Sequence, residues 1–287
     1  MLKRLAIRVV AIVFTIVVGL LVSATMVRMA PGFESDEHQL DAHLSPETIA
    51  SLKAHRLANR KLASFYLTYI KHSVRGDLGY STALGRPVRE VIGERIAETL
   101  KICSFGIGVG CTLGFLLAFV TGMSRSSAWD VLVGGIASLF LCIPIAALAL
   151  IFVLIRRPAG LAIAAVIFPT VYRYARNVLA RTFAMPHVIT AMAKGCGPIR
   201  VLTWHVIPVC AAQFMAIAGI SVSLALSASI PIESLCGIPG IGQLALQSAL
   251  ARDLPVLVTL TVVIATITIF ANSLSDLVPA TVRSRQS

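Results

Sequence analysis

The chain runs apolar, again and again, for long enough to cross a bilayer, and that property limits its fold more than any motif does. A span needs about 20 apolar residues. Val9 to Val27, VVAIVFTIVVGLLVSATMV, supplies one, and others run from about Leu100 to Gly122, Val131 to Ile155, Val209 to Ile230 and Leu254 to Leu277. Leu161 to about Ala180 adds a shorter one, interrupted by Arg173 and Arg176. Only 13% of residues are charged and 57% are hydrophobic, with a mean hydropathy of +0.86. A soluble domain carries about 25% charged residues, so too little polar surface is available to wrap a water-exposed core. The expectation is an all-α, polytopic helical membrane protein with about six transmembrane helices.

Charge then orients the spans. Lys3, Arg4 and Arg8 precede the first run, and Arg283 and Arg285 follow the last. Arg181, Lys194 and Arg200 lie between the fourth and fifth, and no acid occurs from Arg173 to Ser229. Cytoplasmic loops carry an excess of Lys and Arg, which places both ends and this link in the cytoplasm. Arg156 and Arg157, in the RRPAG turn at 156–160, run against that assignment. The first run is longer than a signal-peptide core and reads as a retained helix. The net charge of +12 therefore reports membrane orientation. No dense basic run with interleaved aromatics points to nucleic acid.

This gives an N-terminal helix over 1–30, an extracytoplasmic segment over 31–98 and a transmembrane core over 99–287. The segment holds nine Lys/Arg and nine Asp/Glu, unlike the rest of the chain. LSPETIASLKAHRLANRKLASFYLTYIKHSV reads as amphipathic helix, with Ser45 as a cap before Pro46, followed by an RGDLGYS turn. The cysteines at 103, 111, 142, 196, 210 and 236 have neither the clustering of a metal site nor a disulfide framework.

The stretch TAMAKGCGPIRVLTWHVIP, 190–208, falls in the basic link at about 181–208. Gly197 and Pro198 break the chain between two short helices, and Pro208 opens the fifth span. Ala191, Ala193 and Gly195 are small enough for another surface to approach. Such a hairpin reads equally as a docking knob with its small residues outward or as a basic loop snorkelling to headgroups. Glu233, the only acid between Asp130 and Asp253, reads as structural or gating, with substrate contact as the alternative. Arg252 and Asp253 read as a solvated turn. Asp276 reads as a cap or ion-pair partner rather than a proton relay.

Ala191, Gly195, His205, Ile207 and Pro208 follow the spacing A-x-x-x-G-x(9)-[I/H]-x-[L/I]-P. That pattern resembles the EAA signature of ABC-importer permeases, in the version found in the dipeptide, oligopeptide and nickel family. VRMAPG after the first run and residues 66–100 are similar to the same family, as are IPIESLCGIPGIGQLALQSALARDLPVL at 230–257 and NSLSDL at 272–277. The resemblance implies that the loop is a coupling element for a separate ATPase. Ala191 and Gly195 would permit close packing, Lys194 and Arg200 would flank the contact, His205 would fill a variable place and Pro208 would start the next span. Glu233, Pro239 and Gly240 would lie near a gate or the substrate path. It further implies a second homologous permease, two ATP-binding ATPase subunits and an extracytoplasmic substrate-binding protein, in the bacterial inner membrane. No cofactor or metal is expected. The chain has no P-loop pattern, so ATP hydrolysis falls to a partner and the chain is not itself an enzyme. Peptides are the implied cargo, with nickel or another small solute as the alternative. A secondary transporter or a degenerate permease is the alternative outside that function, although the spans are nearly free of coupling charges.

Overall fold

The computed structural model describes residues 78–124 and 127–283, together with Val10, Phe14 and Val18. The expected amphipathic helices between 31 and 77 lie outside the described residues, and so does the side chain of Asp276. In the described chain, α1 is Val88–Met123, α2 Ser127–Cys142, α3 Ile145–Leu154, α4 Ala159–Phe183 and α5 Pro186–Ala193. They are followed by α6 Pro198–Val201, a π-turn Leu202–Val206, α7 Ile207–Cys236, α8 Ile241–Leu250 and α9 Leu254–Arg283.

Among the described residues, three stretches are long and apolar enough to cross a membrane: Val88–Met123, Pro198–Cys236 and Pro255–Asn272. Their most apolar windows are only 28%, 33% and 22% buried, so most of their apolar surface is left for lipid or for other subunits. At about 1.5 Å per residue the 36-residue α1 is roughly 54 Å long, well beyond the ~30 Å hydrocarbon core. The excess is its first part, where Arg89, Glu90, Glu94, Arg95 and Glu98 stand. The second span therefore grows out of a helix that begins at Val88, inside the stretch expected to be an external segment.

The third span is the clearest departure from expectation. Instead of one helix from Val131 to Ile155, α2 and α3 meet at a bend of 99°. Pro144 causes it: proline has no N–H for the helical ladder, and its ring drives the preceding residue, Ile143, out of the helical region. A new helix starts at once, with the Leu148 N–H donating to the Pro144 carbonyl at 3.0 Å.

The chain forms two compact units, one including Arg95–Leu244 and the other including residues 78–94 and Ala245–Val263. In the first, α4 is the central element although it is the least apolar span. Ala162, Ile163, Ile167, Val171, Tyr172, Ala175 and Leu179 are all buried. Its small residues let neighbours come close. Gly106, Gly110 and Gly114 of α1 ride on Ile163, Ile167 and Val171 of α4, each series advancing by four residues. Without a hydrophobic drive inside lipid, such small-residue seams hold helices through van der Waals contact. A Cβ on Gly110 would stand 2.9 Å from that of Ile167 and 3.1 Å from the Ala164 carbonyl oxygen. Gly110→Leu is therefore expected to push α1 off α4 and cost about 1–3 kcal/mol or more. Loss of folded protein in a detergent thermal-stability assay checks this, with Gly108→Leu, where no atom lies within 4 Å, as the tolerated control.

In the second unit, residues 79–87 form a tight turn. The Val88 N–H bonds the Gly79 carbonyl at 3.0 Å, the Ser81 N–H bonds the Arg86 carbonyl at 2.9 Å, and Arg86 forks onto Glu94 at 2.6 and 3.2 Å. Asp253 ties this turn to the start of α9. Its carboxylate accepts from the Ser81 hydroxyl and, at 3.1 Å, from the Ala83 N–H. Asp253 is 1% exposed, which corrects its reading as half of a solvated turn. Arg252 stays on the surface, with a left-handed φ of 56°.

Candidate functional site

Between α4 and α7 the chain builds the expected hairpin, and its construction explains most of its sequence. Pro186 starts α5, where a missing N–H costs nothing, and the helix stops after Ala193 in a Schellman turn. The Cys196 N–H reaches back to the Ala191 carbonyl at 3.2 Å, and the Gly195 N–H to that of Met192 at 3.0 Å. This closure places Gly195 at φ +80°, a conformation that suits glycine and is strained for most other residues. The chain's own turn thus requires the glycine, whatever docks on it. Nothing lies within 4 Å of a Cβ built there, so the position is open outward as well.

The hairpin has two faces. Val188, Val201 and Val206 are buried to 1% exposure or less and seat it on the core. Ala191 belongs to this inner face at 6% exposure, which corrects the expectation that it faces outward. The reason is helical spacing: Val188 and Ala191 are three apart and share a side of α5. Lys194 and Arg200 are exposed, as are Ile189, Met192, Ile199 and Trp204. Ile199 is 70% and Trp204 76% exposed, a large apolar pair on an otherwise polar turn. With Gly197, Pro198, Arg200 and Thr203 they line a shallow open concavity.

His205 is half-buried in the π-turn that follows, where the Ile207 N–H bonds the Leu202 carbonyl. Pro208 has no N–H to return to the carbonyl four residues back, so the ladder slips by one residue there before α7 resumes. Pro208 then occupies the first turn of α7.

A second site surrounds Glu233, near the end of α7. The helix ends at Gly237, φ +65°, and the chain turns through Ile238 and Pro239 to Gly240 before α8 begins. The first amides of a helix have no partner within it. Here two other helices supply the acceptors. The Glu233 carboxylate accepts from the Gly242 N–H at 2.7 Å and the Gln243 N–H at 3.2 Å. The Thr99 hydroxyl of α1 accepts from the Ile241 N–H at 2.8 Å, and Arg95 donates to the Gln243 side chain at 3.3 Å. Glu233 has no exposed surface and its second carboxylate oxygen has no partner, so the side chain works as a tertiary cap. Gly240 is buried against it, and a Cβ there would fall on both the carboxylate and the Thr99 hydroxyl. Pro239 stays exposed.

A third grouping escaped the sequence. Asp130 of α2 and Arg176 of α4 form a two-point ion pair, joined by the Tyr172 hydroxyl. Arg176 had registered there only as a charge that shortens a span.

Long apolar helices, a proline-broken helix pair and a basic hairpin leading into a span define a helical multi-pass membrane protein. Residues 110–285 match the model for binding-protein-dependent transport system inner membrane components, and the chain belongs to that family. Among its relatives, the oligopeptide transport system permease protein OppB of Haemophilus influenzae is 25% identical over 278 residues, 89% of each chain. The protein of the same name from Escherichia coli is 24% identical over 285 residues, 92% of each. A chain of the MetNI methionine ABC transporter in inward-facing conformations shares the fold, with a TM-score of 0.54 and 21% identity. That match covers 68% of this chain and 94% of the other. The protein is thus the permease component of an ABC importer, whose partners include an ATPase and a binding protein.

Proposed function

We propose that the chain is one of two homologous permease subunits of a bacterial inner-membrane peptide importer, working with two ATPase subunits and an extracytoplasmic binding protein. The hairpin at 186–206 faces the cytoplasm and docks on an ATPase. The observation that carries this is the pairing of two faces on one short hairpin. Its inner face is locked into the core, while Ile199 and Trp204 stand uncovered on a hairpin whose Lys194 and Arg200 are exposed as well. Exposed apolar groups with a charged rim suit a protein groove. Positive-inside charge supports the same side of the membrane. Residues 31–98 then lie outside, with the binding protein.

Peptides are the cargo favoured by the OppB relatives, each matched along about nine-tenths of its length. The turn from Pro239 to Gly240, braced by Glu233, sits by topology at the outer end of α7 and forms part of the gate. In proteoliposomes holding this chain, its partner permease, the ATPase and the binding protein, ATP should drive uptake of labelled oligopeptides. An excess of unlabelled oligopeptide should suppress it, and nickel or free methionine should not. Suppression by nickel or methionine, with no effect of peptide, would reassign the cargo.

A further inference from the structure

Arg176 holds Asp130 through two parallel bonds, Nε to Oδ1 at 2.9 Å and NH2 to Oδ2 at 3.0 Å, and the Tyr172 hydroxyl reaches Oδ1 at 3.4 Å. A guanidinium fork on a carboxylate fixes direction as well as distance. The two side chains are 23% and 40% exposed, and pairs this accessible add little to stability. Packing of α2 on α4 does not depend on the pair either. Val133 and Ala137 are buried there, and Phe140 meets Phe168 edge-on with ring centroids 5.4 Å apart. What the ion pair adds is a fixed orientation of the first turn of α2 on α4.

The two ends of this connection are unlike. About two turns beyond Arg176, α4 runs into the hairpin; there Leu179 is buried, and the Thr182 hydroxyl lies 3.1 Å from the Cys210 sulfur, which ties α4 to the start of α7, the helix that leaves the hairpin. Val188, Ala191, Val201 and Val206 extend the same apolar seat. At its far end α2 stops at Pro144, where the chain bends by 99° into α3. So α2 is a helix of about 24 Å that packs along α4, is tied to it at its first turn by the ion pair, and turns sharply into α3 at its other end.

We propose that the Asp130–Arg176 pair, steadied by Tyr172, is a positioning tie that passes hairpin displacement into the bent α2–α3 pair, so that ATPase movement opens or closes the path. The inference rests on the hairpin docking an ATPase.

The test compares Asp130→Asn, Arg176→Gln, Arg176→Lys and the swap Asp130→Arg with Arg176→Asp in the reconstituted importer. It reads both ATPase retention and substrate moved per ATP hydrolysed. The single charge-removing variants should keep the ATPase but lose at least about five-fold in substrate per ATP, the lower end of measured coupling between sites. The swap should recover most of the loss, and Arg176→Lys part of it, since an ammonium keeps the charge without the fork. Parent-like stoichiometry in the single variants would overturn the tie. So would loss of folded protein that the swap does not repair, which would make the pair a stability element. If the parent chain itself retains no ATPase, the docking reading fails, an outcome distinct from both.

Discussion

Gly195→Glu should leave the chain in the membrane near its normal level and strip it of the ATPase. Two effects act together. The Schellman closure puts residue 195 at φ +80°, so most residues with a Cβ, glutamate among them, strain the turn that presents Ile199 and Trp204. Glutamate also carries a charge into the surface that the partner would cover. An unpaired buried charge costs on the order of several kcal/mol, more than a transient contact can absorb. The membrane helices lie elsewhere in the chain, so insertion is spared. Gly195→Asn separates the two effects, because asparagine tolerates the left-handed region and brings no charge. It should retain the ATPase, and so should Cys196→Ser. Copurification and ATP-driven uptake by Gly195→Glu at the parent level would show that the ATPase binds elsewhere.

The second large effect is expected at the α7–α8 turn. Glu233→Ala removes the acceptor for two amides, that of buried Gly242 and that of half-buried Gln243. A buried donor left alone costs about 1–3 kcal/mol, so the start of α8 should loosen and transport should collapse. Glu233→Gln keeps an amide oxygen for the same donors and should be much milder. Gly242→Val attacks the turn sterically: its Cβ would come within 2.7 Å of the Ile230 Cα, and backbone cannot swing aside as a side chain can. It should be at least as damaging as Glu233→Ala. Thermal unfolding in detergent, read beside uptake, checks the series. A Glu233→Ala protein as stable and active as the parent would remove the cap from the account. Activity lost with stability intact in both Glu233→Ala and Glu233→Gln would favour a direct role for the carboxylate in the substrate path.

How much of this was legible depends on how local each cause is. Apolar run length is local, so the positions of α7 and α9 were readable, and the turn residues Gly197, Pro198 and Pro208 marked the hairpin. Pro144 was also visible, but a proline within an apolar run can kink a helix or end it, and only packing decides between the two. The weak fourth span turned out central because burial of α4 depends on what faces it. Small residues admit α1, and Asp130 offsets Arg176. Periodicity taken one helix at a time carries no sign of either partner. The same holds for Thr99 and Glu233, which cap a helix that begins far along the chain from Thr99. Asp253 beside Arg252 reads as a solvated turn because the partner that buries it, Ser81, is distant in sequence.

On the proposed docking, the ATPase meets the hairpin and not the other end of α4. Lys194 follows α5, whereas Arg157 precedes α4, and the 25 residues of α4 place about 37 Å of helix between those two regions. With the native cysteines replaced, a cysteine at either position can carry a short thiol-to-amine cross-linker in the complex with the ATPase and nucleotide. The account predicts a cross-linked permease–ATPase band from Lys194→Cys and none from Arg157→Cys. A band from Arg157→Cys alone, or from neither site in a complex that still imports, would contradict it.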